Sequence, residues 1–196
     1  MLDESVIRPP GVTQGAEGFP RRKFTTGDVL AMIEAGVIAP DERFELIEGE
    51  IVPMSPQHHD HESIKSELVT ALARILPAHL RLGIGTTVYL ADDTFVNPDI
   101  TIFPKAIRTD ELKGTDLLLA VEVAATTLRY DKEKKVPLYA ANLFSEFWLI
   151  DARERATWVH TRPGGGDWGS IVKVPGGEAL TLAALPALAF RVAEVE

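Results

Sequence analysis

The chain has 196 residues, 45% hydrophobic and 25% charged, and its 20 basic and 29 acidic side chains leave a formal charge of −9. That composition suits a folded chain with one real core, and no apolar run approaches the roughly 18 residues a membrane helix needs. Cysteine is absent, which excludes disulfide scaffolds, thiol nucleophiles and zinc–thiolate sites, and the acid excess argues against a broad face for nucleic acid, although a local basic groove could still sit on an acidic chain.

Residues 1–23 mix proline, glycine and charge without period and end in Arg21-Arg22-Lys23; they read as a flexible leader ahead of a single domain over 24–196. Two early acids and no apolar stretch make the N-terminus unlike a signal peptide, and a cytoplasmic location is the expectation. From Thr25 the segment TTGDVLAMIEAG predicts a helix, with Thr26 as N-cap, an apolar stripe of Val29, Leu30 and Ile33, and a stop at Gly36. Phe44 to Met54 predicts two short strands hinged at Glu48-Gly49. Pro56 precedes a helix over about 60–76, whose apolar positions Ile64, Leu68, Leu72, Ile75 and Leu76 recur at spacings mostly of three and four, with Pro77 closing it.

Thr86 to Leu90 and Asp99 to Phe103 are short β-rich runs around the turn Asp92-Asp93. LLLAVEV, Leu117 to Val123, predicts a central strand buried on both faces. Tyr130 to Asn142 predicts a helix that must kink, or begin a new first turn, at Pro137. Phe147 to Ile150, Thr157 to His160, Ile171 to Val174 and Phe190 to Val192 predict further strands, with the glycines at 164–166 as a loop tip. The order of elements gives an α/β (α+β) fold: a mixed β-sheet flanked by helices, not a regular doubly wound one.

One charge interrupts the apolar central strand: Glu122. A buried carboxylate is costly unless it is paired or binds a metal, and a half-solvated strand end or a lysine partner would account for a lone case. Asn97-Pro98-Asp99-Ile100 adds a second acid at the start of a predicted strand. Two converging carboxylates repel unless a cation lies between them, and oxygen ligands favour Mg²⁺ or Mn²⁺, which take one or two carboxylates beside substrate phosphate. Phosphoryl chemistry at such a site also needs a positive group; Arg129 to Lys135, with four basic and two acidic residues, is the candidate source. By itself such a run is more often a solvated helix face.

Three blocks in order carry a resemblance: Glu45 to Pro56 (ELIEGEIVPMSP), Pro98-Asp99-Ile100, and Val121 to Ala140 (VEVAATTLRYDKEKKVPLYA) followed by Glu146 to Asp151 (EFWLID). Together the chain resembles the Uma-type putative restriction endonuclease family of the PD-(D/E)XK nuclease superfamily, from about residue 24 to 192. The resemblance implies a restriction-endonuclease-like core, with Asp99 and Glu122 as metal ligands for Mg²⁺ or Mn²⁺. Ala124 stands where the superfamily usually has its lysine, and Lys135 on the following helix matches the displaced position. Glu45 matches the family's N-terminal acid and His61 a histidine after the Met-Ser-Pro run; both join Lys135 as candidate catalytic residues. The implied activity is DNA phosphodiester cleavage, with Arg129, Lys132, Lys134 and the 21–23 run near the backbone and with a possible homodimer.

The remaining features have plainer readings. His58, His59 and His61 lack the helical spacing of a zinc site and read as an exposed, capped helix start. Trp148, Trp158 and Trp168 read as packing residues, Gly164 to Gly166 has no phosphate-loop context, and no Gly-x-Ser-x-Gly occurs. Two rival functions stay open: a catalytically silent nuclease-fold binding or assembly module, and a carboxylate-pair hydrolase such as a glycosidase.

Overall fold

The computed structural model describes residues 12–14, 20–54 and 59–192. Pro56, His58 and the rest of the 1–23 leader lie outside the described residues. In chain order the elements are β1 (Val12–Gln14), β2 (Pro20–Arg22), α1 (Thr26–Glu34), β3 (Phe44–Ile47), β4 (Glu50–Pro53), α2 (His59–Ile75), β5 (Leu80–Ile84), β6 (Val88–Ala91), β7 (Thr94–Val96), β8 (Ile100–Pro104) and β9 (Leu119–Ala124). They continue with α3 (Leu128–Tyr130), a π turn (Asp131–Lys135), α4 (Val136–Ala141), β10 (Glu146–Asp151), β11 (Ala156–Gly164), β12 (Asp167–Val174), β13 (Leu180–Leu182) and β14 (Leu185–Phe190). The mixed α+β class expected from the sequence is what the fold has. Among the described residues no helix is long and apolar enough to cross a membrane.

The chain divides into two compact units, Met1–Ser55 with Tyr89–Val96, and Pro56–Val88 with Asn97–Glu196. In the first, β1 pairs with β2, and β4-β3-β7-β6 form a four-stranded sheet. The predicted hinge holds: Glu48 and Gly49 take φ of 51° and 82°, a tight two-residue loop closing the β3–β4 hairpin. A Cβ on Gly49 would meet Lys23 Cβ at 2.5 Å, so close approach as well as φ demands glycine there. Helix α1 is capped by Thr25 and not by Thr26: Thr25 Oγ1 accepts from Asp28 N at 3.0 Å, while Asp28 Oδ2 accepts from Thr25 N at 2.8 Å. This reciprocal box needs an acid three residues after the cap, which Thr26 lacks and Thr25 has. Val29, Ile38, Phe44, Leu46 and Phe95 form the unit's core.

The second unit carries a six-stranded sheet in the order β12-β11-β10-β9-β8-β5. Only β9 and β10 run parallel; every other neighbouring pair is antiparallel. Alternation sorts its side chains. Ile100, Ile102, Leu119, Val121, Val123, Trp148 and Ile150 join Ile64, Leu68 and Leu72 of α2 in one core, while Phe147 meets Tyr139 of α4 edge-on, ring centres 4.9 Å apart. Strand β9 is therefore covered on both faces, as its near-continuous apolar run predicts.

The predicted kink is a π turn. Pro137 has no N–H to donate into the preceding turn, and the wide i→i+5 turn Asp131–Lys135 ends just before it, leaving the proline at the start of α4. The glycine tip also holds, with Gly165 and Gly166 at φ 64° and 84° between the paired Gly164 and Asp167. Strands β1, β2, β5, β7 and β13 were not expected, the first two falling in the 1–23 stretch read as a flexible leader: β5 contains Arg81 and Gly83, and the others have three residues each, so pairing partners rather than local pattern define them.

Candidate active site

The β8–β9 register brings the two predicted metal ligands together. Ile100 pairs with Val121, so Asp99 and Glu122 follow at the next step of this antiparallel ladder. Asp99 is fastened by backbone on both sides: its carbonyl accepts from Gly85 N at 3.1 Å, and its Oδ2 accepts from Val123 N at 2.9 Å. The proline-aspartate dipeptide places this acid at a strand entrance, where an unpaired backbone group of the neighbouring strand can be capped by a side chain.

The same Oδ2 lies 3.0 Å from Nε2 of His61, in the first turn of α2. His61 is buried, in contrast to its exposed neighbours His59 and Asp60. Its Nδ1 lies 3.2 Å from Glu62 Oε1, which takes a 2.6 Å hydrogen bond from Lys65 Nζ. Burial would push the Asp99 carboxyl up. The hydrogen bond and charge of His61, the Val123 N–H and the charge of Lys135 outweigh it and leave the acid below its usual value.

Glu122 is held from the other side of β9. Lys135 Nζ donates to its Oε1 at 2.8 Å and the Tyr139 hydroxyl donates to the same oxygen at 2.6 Å. Lys135 and Tyr139 stand four residues apart, and Asp131 four residues earlier is buried too, accepting from Thr127 Oγ1 at 2.6 Å. One helical face across the π turn thus lies against the sheet, as a four-residue repeat allows. Asp99, Glu122, His61 and Lys135 are each at most 8% exposed. A charge this deep is tolerable only with such partners.

Glu45 belongs to the other compact unit. It is buried on β3 with Val52 of β4 as its register partner, and period two sets it on the face opposite Phe44 and Leu46. Of the basic run, Arg129 forms an exposed ion pair with Glu133 at 2.8 Å, and the Lys132 ammonium sits 3.5 Å above the Trp158 ring. Trp148 is in the core, and Trp168 Nε1 donates to the Val136 carbonyl at 2.8 Å.

The residue that pattern reading missed is Tyr139. It counts as apolar in a helical stripe, and its spacing of four from Lys135 is the one signal that would have marked it. Among the described residues no group of three or more histidine or acidic side chains is gathered closely enough to hold a metal ion. Asp99 and Glu122 offer carboxylate oxygens only, with the Lys135 ammonium bonded to Glu122. That fits a hard divalent cation bound through one or two carboxylates, the remaining positions coming from substrate phosphate and water.

Comparisons with known proteins bear on the family and the fold. The family model described as Uma2: Putative restriction endonuclease matches residues 28–193. The crystal structure of a putative nuclease belonging to DUF820 from Anabaena variabilis ATCC 29413 superposes with a TM-score of 0.69 at 16% identity, over 87% of this chain and 96% of that one. At that identity the likeness establishes the fold. A comparison with curated proteins gives no match.

Proposed function

Because the chain belongs to the Uma2 family of putative restriction endonucleases, we propose that it is a metal-dependent endonuclease hydrolysing phosphodiester bonds in DNA. The observation that carries this reading is the buried set of Asp99, at the entrance to β8, and Glu122 on the neighbouring β9, with Lys135 donating to Glu122. Asp99 and Glu122 would hold Mg²⁺ or Mn²⁺. When bound, such a cation supplies charge neutralisation at the phosphoryl group and acidity for the attacking water. Lys135 is a hydrogen-bond donor and a positive charge; it orients that water in line with the P–O bond to be broken and offsets the negative charge that develops on phosphorus-bound oxygen. His61 holds Asp99 ionised and oriented. DNA is the substrate partner in this reading, and a homodimer would offer one site to each strand.

Plasmid cleavage with Mg²⁺ or Mn²⁺ tests it. Asp99→Ala, Glu122→Ala and Lys135→Ala should each lose at least about 100-fold in rate, the scale of removing one charge-stabilising group. Equal rates in wild type and variants would overturn the assignment. The silent-module alternative predicts no specific Mg²⁺ or Mn²⁺ uptake by calorimetry.

A further inference from the structure

We propose that Tyr139 is a positioning residue for the cleavage reaction, its hydroxyl pinning the Glu122 carboxylate in the orientation that receives the metal. This rests on the nuclease reading above. Glu122 Oε1 takes two donors from one helical face, and they differ in kind. Lys135 reaches it with an ammonium on a flexible four-carbon stem, whose three donors can redistribute toward water or phosphate. Tyr139 reaches it with a hydroxyl on a ring held by its packing. That ring is fully buried, stacked on Phe144 at 4.3 Å with planes 1° apart and met edge-on by Phe147 at 82°.

Such a socket would hold phenylalanine equally well, so packing does not account for the hydroxyl. A buried hydroxyl is costly without an acceptor, and here the acceptor is the carboxylate assigned to the metal. Partners of metal ligands fix the rotamer of the ligand and its basicity. When Lys135 turns toward the substrate, the Tyr139 bond keeps Glu122 from rotating.

Tyr139→Phe removes one oxygen and keeps the ring. Three measurements on the full chain decide the matter: thermal melting without metal, Mn²⁺ titration by calorimetry, and plasmid-cleavage kinetics. The melting temperature should change little. Mn²⁺ affinity and kcat should each fall by about 10–100-fold, the range for losing a ligand's supporting partner, while KM for DNA stays, since Tyr139 touches no substrate. Phe144→Leu is the packing control: it loosens the stack and leaves the hydroxyl, so it should lower the melting temperature more than the Mn²⁺ affinity. Wild-type cleavage and uptake matched by Tyr139→Phe would overturn the positioning role alone. So would a loss confined to KM, or a Phe144→Leu variant as impaired in Mn²⁺ binding as Tyr139→Phe. Wild type that neither takes up Mn²⁺ nor cleaves would overturn the nuclease reading, and this role with it.

Discussion

Lys135 carries a full charge at 5% exposure, and its partner Glu122 is equally enclosed. Taking one member away strands the other in a medium that solvates it poorly. Lys135→Met should therefore lower the unfolding free energy by roughly 3–5 kcal/mol at pH 7, the usual scale for breaking a buried pair. Urea denaturation of the single variant and of Lys135→Met/Glu122→Gln checks this. The double variant should regain most of the loss, because a neutral amide oxygen still accepts from Tyr139. Asp99 and Glu122 stand out in the sequence because each departs from its surroundings, an acid after proline and an acid in an apolar strand; Lys135, one lysine of a charged run, was singled out only by the family resemblance. Tyr139 could not be named. A phenol is both apolar ring and donor, and which half matters depends on a partner 17 residues away in the chain.

Helix α2 illustrates what periodicity can and cannot supply. Its buried positions Ile64, Leu68 and Leu72 follow the predicted stripe and pack on Ile100, Val121 and Trp148 of the sheet. Leu68→Ala should cost about 2–5 kcal/mol, read from thermal or urea unfolding, while cleavage by the folded fraction is kept because Leu68 lies about two helical turns beyond His61. His61 in the first turn of the same helix was read as part of an exposed start, with the family resemblance alone pointing it at the site. Its burial against Asp99 comes from where α2 is docked, a tertiary fact. The cap of α1 moved by one residue for a local reason that the sequence does contain, since Thr25 and Asp28 have capping-box spacing. The π turn has a local cause as well, in Pro137. Strands β5, β7 and β13 have none: short or interrupted segments become strands only when a neighbour offers its N–H and C=O groups.

Across the whole molecule, the excess of acid is partly explained by carboxylates with internal tasks. Asp99, Glu122, Asp131 and Glu146 are buried, and Glu146 accepts from Trp148 Nε1 at 2.6 Å and Ala183 N at 2.9 Å. Burial raises the Glu146 carboxyl. Global stability should also report His160, buried against Phe147 and Trp168 at ring separations of 5.2 and 5.5 Å. Burial, aided by the charge of Lys132 and opposed by its hydrogen bonds to backbone, holds its pKa below the usual 6.5. The unfolded chain then binds the proton more readily, so this contribution is complete above 6.5 and is lost as pH falls below it. Melting temperatures at pH 7.5 and 5.5 should show that decline, and His160→Phe, which keeps a ring in the stack, should make it shallower. Sequence by itself determined the α+β class, the tight glycine turns and most of the hydrophobic stripes, with Leu30 and Ile75 left exposed at 52% and 49%, because period and φ preference are local quantities; the cost of burying charge marked Asp99 and Glu122 as candidates. Only the tertiary structure decided that His61 turns inward to Asp99 and that Lys135 and Tyr139 share one oxygen of Glu122. Those contacts depend on strand register and helix docking, which put residues distant in the chain within hydrogen-bond reach.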